Sequence, residues 1–164
     1  MHQRIGVAVA MAMLATCALA AERKADAKKS SDPLRDRGRY VVSIAGCNDC
    51  HTPGYAMSGG QTPEKDWLIG DALGWRGPWG TTYPVNLRLY MQNVSEREWV
   101  EQAKSLETRP PMPWFSLHRM TETDLRAVYR FIRALGPAGS PAPAFVPPNQ
   151  EPRPPFVTFP APPK

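Results

Sequence analysis

Apolar residues recur with a helical period in three stretches of this chain. In the first, Gly38, Val41, Val42 and Ala45 fall on one side of a helix predicted over residues 33–45. Asp32 and Pro33 open it, because a carboxylate accepts from free amides and a proline in the first turn gives up only a donor with no partner there. Gly46 closes it. In the second, Trp99, Ala103 and Leu106 form a stripe behind a capping box of Ser95 and Glu98, and the helix stops before Pro110. The third starts at Thr121 with Asp124 three places on, carries Leu125, Val128, Tyr129, Ile132 and Leu135 on one face, and ends at Gly136-Pro137. Met120 and Leu125 flank that start as a hydrophobic staple. Residues 52–94 have no sustained period and are rich in Gly, Pro and aromatics, which predicts a long loop region with room for one short helix.

The two ends read differently from the middle. Arg4, an apolar run over residues 5–19 and the small residues around Ala18-Leu19-Ala20 predict a signal peptide over residues 1–20, and so an exported, periplasmic mature chain. A membrane anchor is the competing reading, but the run is shorter than the roughly 20 residues a span requires. Lipid attachment at Cys17 is a third, disfavoured by the threonine before it. Residues 21–31 form a polar, basic linker. Residues 137–164 hold eleven prolines and predict an extended, polyproline-like tail. Its Phe145, Val146, Phe156, Val157 and Phe159 are anchors along the chain's own domain or a partner; a solvated tail is the alternative.

Residues 32–136 are left as one domain of about 105 residues, small enough for a bound prosthetic group to supply part of its interior. No stretch after the leader is apolar enough to span a membrane. Removing Arg4 with the leader leaves 19 basic against 15 acidic residues, a net charge of +4. The positive charges lack aromatic interleaving, which argues against nucleic acid and suits an acidic protein partner or simply a solvated face.

The mature chain keeps two cysteines, in Cys47-Asn48-Asp49-Cys50-His51. That spacing is the one used for covalent haem attachment. Residues three apart on a helical turn point the same way, so both sulfurs reach one porphyrin as thioethers, and His51, on the same face, is placed as a proximal iron ligand. A thioredoxin-like dithiol needs a strand and helix framework here, whereas the flanks read as helical. Structural zinc gains three ligands, but adjacent Cys50 and His51 suit a tetrahedral centre poorly and no second pair follows. A plain disulfide is the remaining alternative. A buried haem also explains how residues 52–94 become ordered.

For the second axial position the chain offers Met57, Met91, Met112, Met120 and His118. Met112 is the choice, because Pro110-Pro111-Met112-Pro113-Trp114 is a stiff segment that can present a sulfur. Ordinary core packing is the alternative for any methionine. His118 is the competitor as a ligand, and a loop-capping role is its alternative. Methionine raises the potential, and either ligand closes the iron to oxygen or peroxide.

These residues resemble the class I cytochrome c family in three features: the Cys47 to His51 motif, the Pro111-Met112-Pro113-Trp114 loop and the helix over residues 121–135. Within it, Gly80-Thr81-Thr82-Tyr83-Pro84-Val85-Asn86-Leu87 resembles a loop of the single-haem subunits that accompany periplasmic dehydrogenases. The resemblance implies an all-α, cytochrome c-like domain around one covalent haem c. First and last helices are expected to cross through Gly38 and Tyr40 against Leu125 and Tyr129. By the same analogy Arg76, Trp79, Tyr83 and Asn86 donate to the haem propionates, with core packing for the tryptophan and turn chemistry for Asn86 as alternatives. The tryptophan-rich stretch over residues 61–79 and the proline-rich tail go beyond a minimal family member. The expected function is single-electron transfer without bond chemistry, free or as a subunit of a periplasmic dehydrogenase complex, with a dehydrogenase or terminal oxidase as partner. A haem sensor and a peroxidase-like enzyme are the other readings.

Overall fold

The periodic stretches fold as helices where the pattern puts them. The structure, a computed structural model, describes residues 32–160; the leader, its cleavage site, Cys17, the linker over residues 21–31 and the last four residues lie outside the described residues. Among the described residues six helices run in order as α1 Pro33–Ile44, α2 Cys47–His51, α3 Leu87–Tyr90, α4 Glu96–Ser105, α5 Trp114–Arg119 and α6 Glu122–Leu135. A single 3-10 turn, Glu64–Asp66, precedes strands β1 Gly74–Gly77 and β2 Gly80–Thr82, and β3 Phe156–Thr158 comes from the tail. Among the described residues no helix is long and apolar enough to cross a membrane.

The local chemistry behind the helices is visible at their ends. Ser95 accepts from the Glu98 amide while the Glu98 carboxylate accepts from the Ser95 amide, a complete capping box for α4. Thr121 caps α6 by accepting from the Asp124 amide at 3.1 Å. Gly46 and Gly136 both take φ of 72°, a backbone that costs a glycine little, and they end α1 and α6.

The core lies between α1, α4 and α6. It comprises Val41 and Val42, Trp99 and Ala103, and Leu125, Val128, Phe131 and Ile132. Residues 52–94 add Trp67, Leu68 and Met91 to it, with Trp67 edge-on to Phe131. That segment therefore carries core residues of its own, contrary to the expectation that a bound group alone would order it. Arg88, buried on α3, donates to the carbonyls of Gly136 at 2.6 Å, Lys65 at 2.6 Å and Leu135. It thereby satisfies two carbonyls at the C-terminal end of α6 that have no partner inside the helix.

The all-helical expectation fails on one side of the molecule. There β1 pairs antiparallel with β2 and parallel with β3, giving a three-stranded sheet in the order β2-β1-β3. The fold is mixed. Strands of three and four residues built on Gly74, Gly77 and Gly80 are too short to show a two-residue alternation, and their third partner arrives from the far end of the chain. The tail accordingly lies along its own domain through a few contacts, although most of its described residues, Val157 among them, stay exposed. Val146 exchanges both backbone hydrogen bonds with Thr81, and Phe159 packs between Trp75 and Trp79. Helix α5 is a second departure, since the pattern predicts no helix between Pro110 and Thr121.

The crossing of α1 and α6 is real in kind and different in detail. Gly38 faces Ala127 and Phe131, not Leu125 and Tyr129, and Tyr40 is exposed. A Cβ at Gly38 would stand 2.0 Å from the Ala127 carbonyl oxygen and 2.8 Å from Phe131 Cβ. Gly38→Ala is expected to lower unfolding free energy by about 2 kcal/mol or more, because two backbones must part to admit one methyl. A denaturant midpoint equal to that of the wild type would contradict so close a crossing.

Candidate functional site

Helix α2 is one and a half turns long and holds the motif. Gly46 breaks the chain direction after α1, so Cys47, Asn48, Cys50 and His51 start a new axis against the core, with Asn48 and His51 buried. Three contacts fix that axis. The Thr52 hydroxyl donates to Asn48 Oδ1 at 2.7 Å and accepts from the Leu68 amide at 2.8 Å, both buried. The Gly70 amide donates to the His51 carbonyl at 2.9 Å. Gly70 itself takes φ of 78°, and a Cβ there would meet the Asn86 amide nitrogen at 2.8 Å and the Pro84 carbonyl oxygen at 2.9 Å. Residues 70 and 84–86 thus run in contact beneath the histidine, as only a glycine allows.

The same layer orients the ring. His51 Nδ1 donates to the Val85 carbonyl at 2.8 Å, which leaves Nε2 as the nitrogen with a free lone pair. Burial pulls the imidazole below the usual histidine pKa, the Val85 hydrogen bond only opposing it in part. The ring is therefore neutral at pH 7. Cys47 and Cys50 are both free thiols. Burial pushes Cys47 up to about 11, with the nearby Asp49 carboxylate adding to it, and Cys50 also lies above its ordinary value, again chiefly through burial.

In front of α2 lie two adjoining cavities, of about 840 and 290 Å³. They share Cys50, His51, Val85, Thr108 and Met112 as walls, and Cys47 lines the smaller. The volume is of the size that encloses a cofactor. Its lining is largely apolar, yet Trp75 Nε1 and Thr108 Oγ1 are buried without hydrogen-bond partners among the described residues. Unpaired donors in an apolar wall are costly unless a ligand accepts from them.

Four of the residues singled out in the sequence, Cys47, Cys50, His51 and Met112, meet at this slot. Met112 reaches it from the segment before α5, opposite in sequence to α2. Met57 is 93% exposed and Met91 is sealed in the core, so neither borders the slot, while Met120 lines the smaller cavity alone. His118 lines neither cavity; its Nε2 donates to the Leu106 carbonyl at 2.9 Å, and its ring lies against Trp114.

Of the four residues expected at the propionates, Tyr83 alone lines the slot. Arg76 pairs with Glu151 at 2.6 Å and sits over Phe156. Trp79 packs on Phe159, its Nε1 buried and unpartnered among the described residues. Asn86 is committed to backbone, accepting from the Leu89 amide at 3.0 Å and donating to the carbonyls of Ala138 and Ser140. Sequence reasoning missed Trp75, Thr108 and Phe145. Thr108 stands four residues before Met112, and that closeness was the available signal; Phe145 arrives through the tail, which local sequence does not announce.

The alternatives for the cysteines find little support in this geometry. A dithiol that exchanges needs a thiolate near neutral pH, whereas both thiols are pushed the other way, and α2 follows a helix instead of a strand. Among the described residues no group of three or more His, Cys, Asp and Glu side chains converges as a metal cage. A scan against protein-family models finds no match, and comparison with curated proteins and with solved structures finds none either.

Removing the Thr52 hydroxyl leaves the Leu68 amide and Asn48 without their buried partner. Thr52→Val is expected to cost about 1–3 kcal/mol in a denaturant titration. A loss below about 0.5 kcal/mol would mean that α2 is held by other contacts.

Proposed function

We propose that this chain is a c-type cytochrome exported to the periplasm, which carries single electrons on one haem c bound through Cys47 and Cys50 and ligated by His51 and Met112. The observation that carries the reading is the meeting of two residues far apart in sequence, a neutral His51 with Nε2 free and Met112, on the walls of one slot that the two cysteines also border. When bound, the haem supplies a one-electron couple at its iron.

The chain's own residues have four tasks in this reading. Cys47 and Cys50, a helical turn apart, fix the group's position as thioethers. His51 coordinates through Nε2 while the Val85 carbonyl holds its other nitrogen, so the tautomer is set before any metal arrives. Met112 contributes a second neutral ligand. Trp75 Nε1 and Thr108 Oγ1 offer buried donors to the anionic carboxylates of the porphyrin, and Tyr83 stands in the same wall. Because neither His51 nor Met112 would gain or lose a proton on electron transfer, these hydrogen bonds would stay in place.

The resemblance to class I cytochromes c supports the ligand set, and the structure's mixed architecture limits it to that set. A mildly basic mature surface suits an acidic redox partner, for which a periplasmic dehydrogenase or terminal oxidase has the required chemistry. A peroxidase-like reading needs a polar distal group, and His118, bonded to the Leu106 carbonyl and away from the slot, does not favour one.

Exported from a host that attaches haem, the protein is expected to weigh more than its polypeptide by one haem and to keep that mass when unfolded. Met112→Ala should lower the midpoint potential and, if the methionine is off the iron about 1% of the time in the wild type, tighten carbon monoxide binding to the reduced protein by about 100-fold. Unchanged potential and unchanged carbon monoxide affinity would remove Met112 from the ligand set.

A further inference from the structure

The segment that carries Met112 is held from two sides by parts of the chain remote from it. On one side the Thr82 hydroxyl, on β2, donates to the Pro110 carbonyl at 2.8 Å; its other acceptor, the Trp75 carbonyl, is at 3.5 Å. On the other side the Arg109 guanidinium lies 3.9 Å from the centre of the Phe145 ring. Phe145 belongs to the tail, and it is fixed to the sheet next door: Val146 and Thr81 exchange hydrogen bonds of 2.7 and 3.0 Å. At Gly80, φ is 102°, and a Cβ would meet the Val146 carbonyl oxygen at 2.5 Å and the Phe145 ring at 2.8 Å. The tail is thus seated on β2 as closely as backbones allow. Thr82, Arg109, Pro110, Met112 and Phe145 all line the larger cavity.

We infer that Thr82 and Phe145 are positioning residues for Met112: the hairpin and the tail together clamp residues 109–112, and the clamp sets how much of the time the methionine sulfur stays on the iron. The inference rests on the ligand assignment proposed above. It gives the sheet and the tail a shared purpose. A three-stranded sheet with few large side chains adds little to the core, but it forms a fixed edge against which a proline-rich loop is held. The loop has few hydrogen bonds of its own, since Pro110, Pro111 and Pro113 have no amide to donate, so contacts made to its carbonyls and to Arg109 decide its freedom. Loosening them increases the population in which the sulfur is away, and any ligand that competes for that position binds in proportion to that population.

The test uses the haem-loaded, full-length protein. Thr82→Val removes the donor and keeps the shape; Phe145→Ala removes the ring under Arg109. For each, carbon monoxide affinity of the reduced form and midpoint potential are measured, together with intact mass. Each variant is expected to bind carbon monoxide about 5- to 10-fold more tightly than the wild type, with a lower potential, as loss of one hydrogen bond or one cation–ring contact implies. Thr82→Ser and Phe145→Tyr should restore wild-type values. Gly38→Ala serves as the destabilised control, far from the loop in its contacts, and should leave both readouts unchanged. Thr82→Val and Phe145→Ala proteins that carry haem by mass yet match the wild type in affinity and potential would overturn the clamp while leaving the ligand assignment intact. Shifts of equal size in Gly38→Ala would reduce the effect to general loss of stability and overturn it as well. Should Thr82→Val fail to accumulate, Phe145→Ala and Arg109→Gln decide the matter by the same readouts. A wild-type protein without the added mass would instead refute the proposed function itself.

Discussion

The hydrogen bond from His51 Nδ1 to the Val85 carbonyl joins the two halves of the site. On one side of it stands α2, braced by Thr52 and by the Gly70 amide; on the other runs the chain that leads from β2 into α3. Because a carbonyl can only accept, the bond decides which imidazole nitrogen keeps its proton, and burial keeps the ring neutral. The nitrogen left with a free lone pair is therefore Nε2. The contacts of Thr52 and Gly70 hold the turn, and this bond adds a single orientation and tautomer to the ring.

Around this contact the molecule divides its labour between a helical side and a sheet side. Helices α1, α4 and α6 form an apolar core, with the backbones of α1 and α6 in close contact at Gly38. Arg88 closes the end of α6 and ties it to α3, and so holds the segment that supplies Val85. The sheet and the tail face the opposite wall, where Tyr83, Thr108 and Phe145 border the cavity. The chain between α2 and α4, although largely irregular, is packed through its own Trp67, Leu68 and Met91.

The elements read from sequence were those governed by neighbours in sequence. Ser95 with Glu98 and Thr121 with Asp124 announce helix starts because the capping partners lie three residues apart. Cys47, Cys50 and His51 announce a site because one helical turn brings them together. Met112, which its prolines mark out, lies on the walls of the same slot. Long-range pairing was not legible. Nothing near Gly74 says that Phe156 will lie beside it, and the all-helical expectation failed for that reason. The donor set was legible only in part: Tyr83 borders the cavity, but the carbonyls of Ala138 and Ser140, more than fifty residues away, take the Asn86 amide, while Trp75, which does border the cavity, looks like any other tryptophan in the stretch.

Two neutral axial ligands, one nitrogen and one sulfur, are the claim on which the proposal stands. X-ray absorption at the iron edge, recorded on the protein as purified, examines it directly. Five nitrogen neighbours and one longer sulfur neighbour are expected, in both oxidation states. An iron shell made of nitrogen alone, or a preparation that contains no iron, would contradict it.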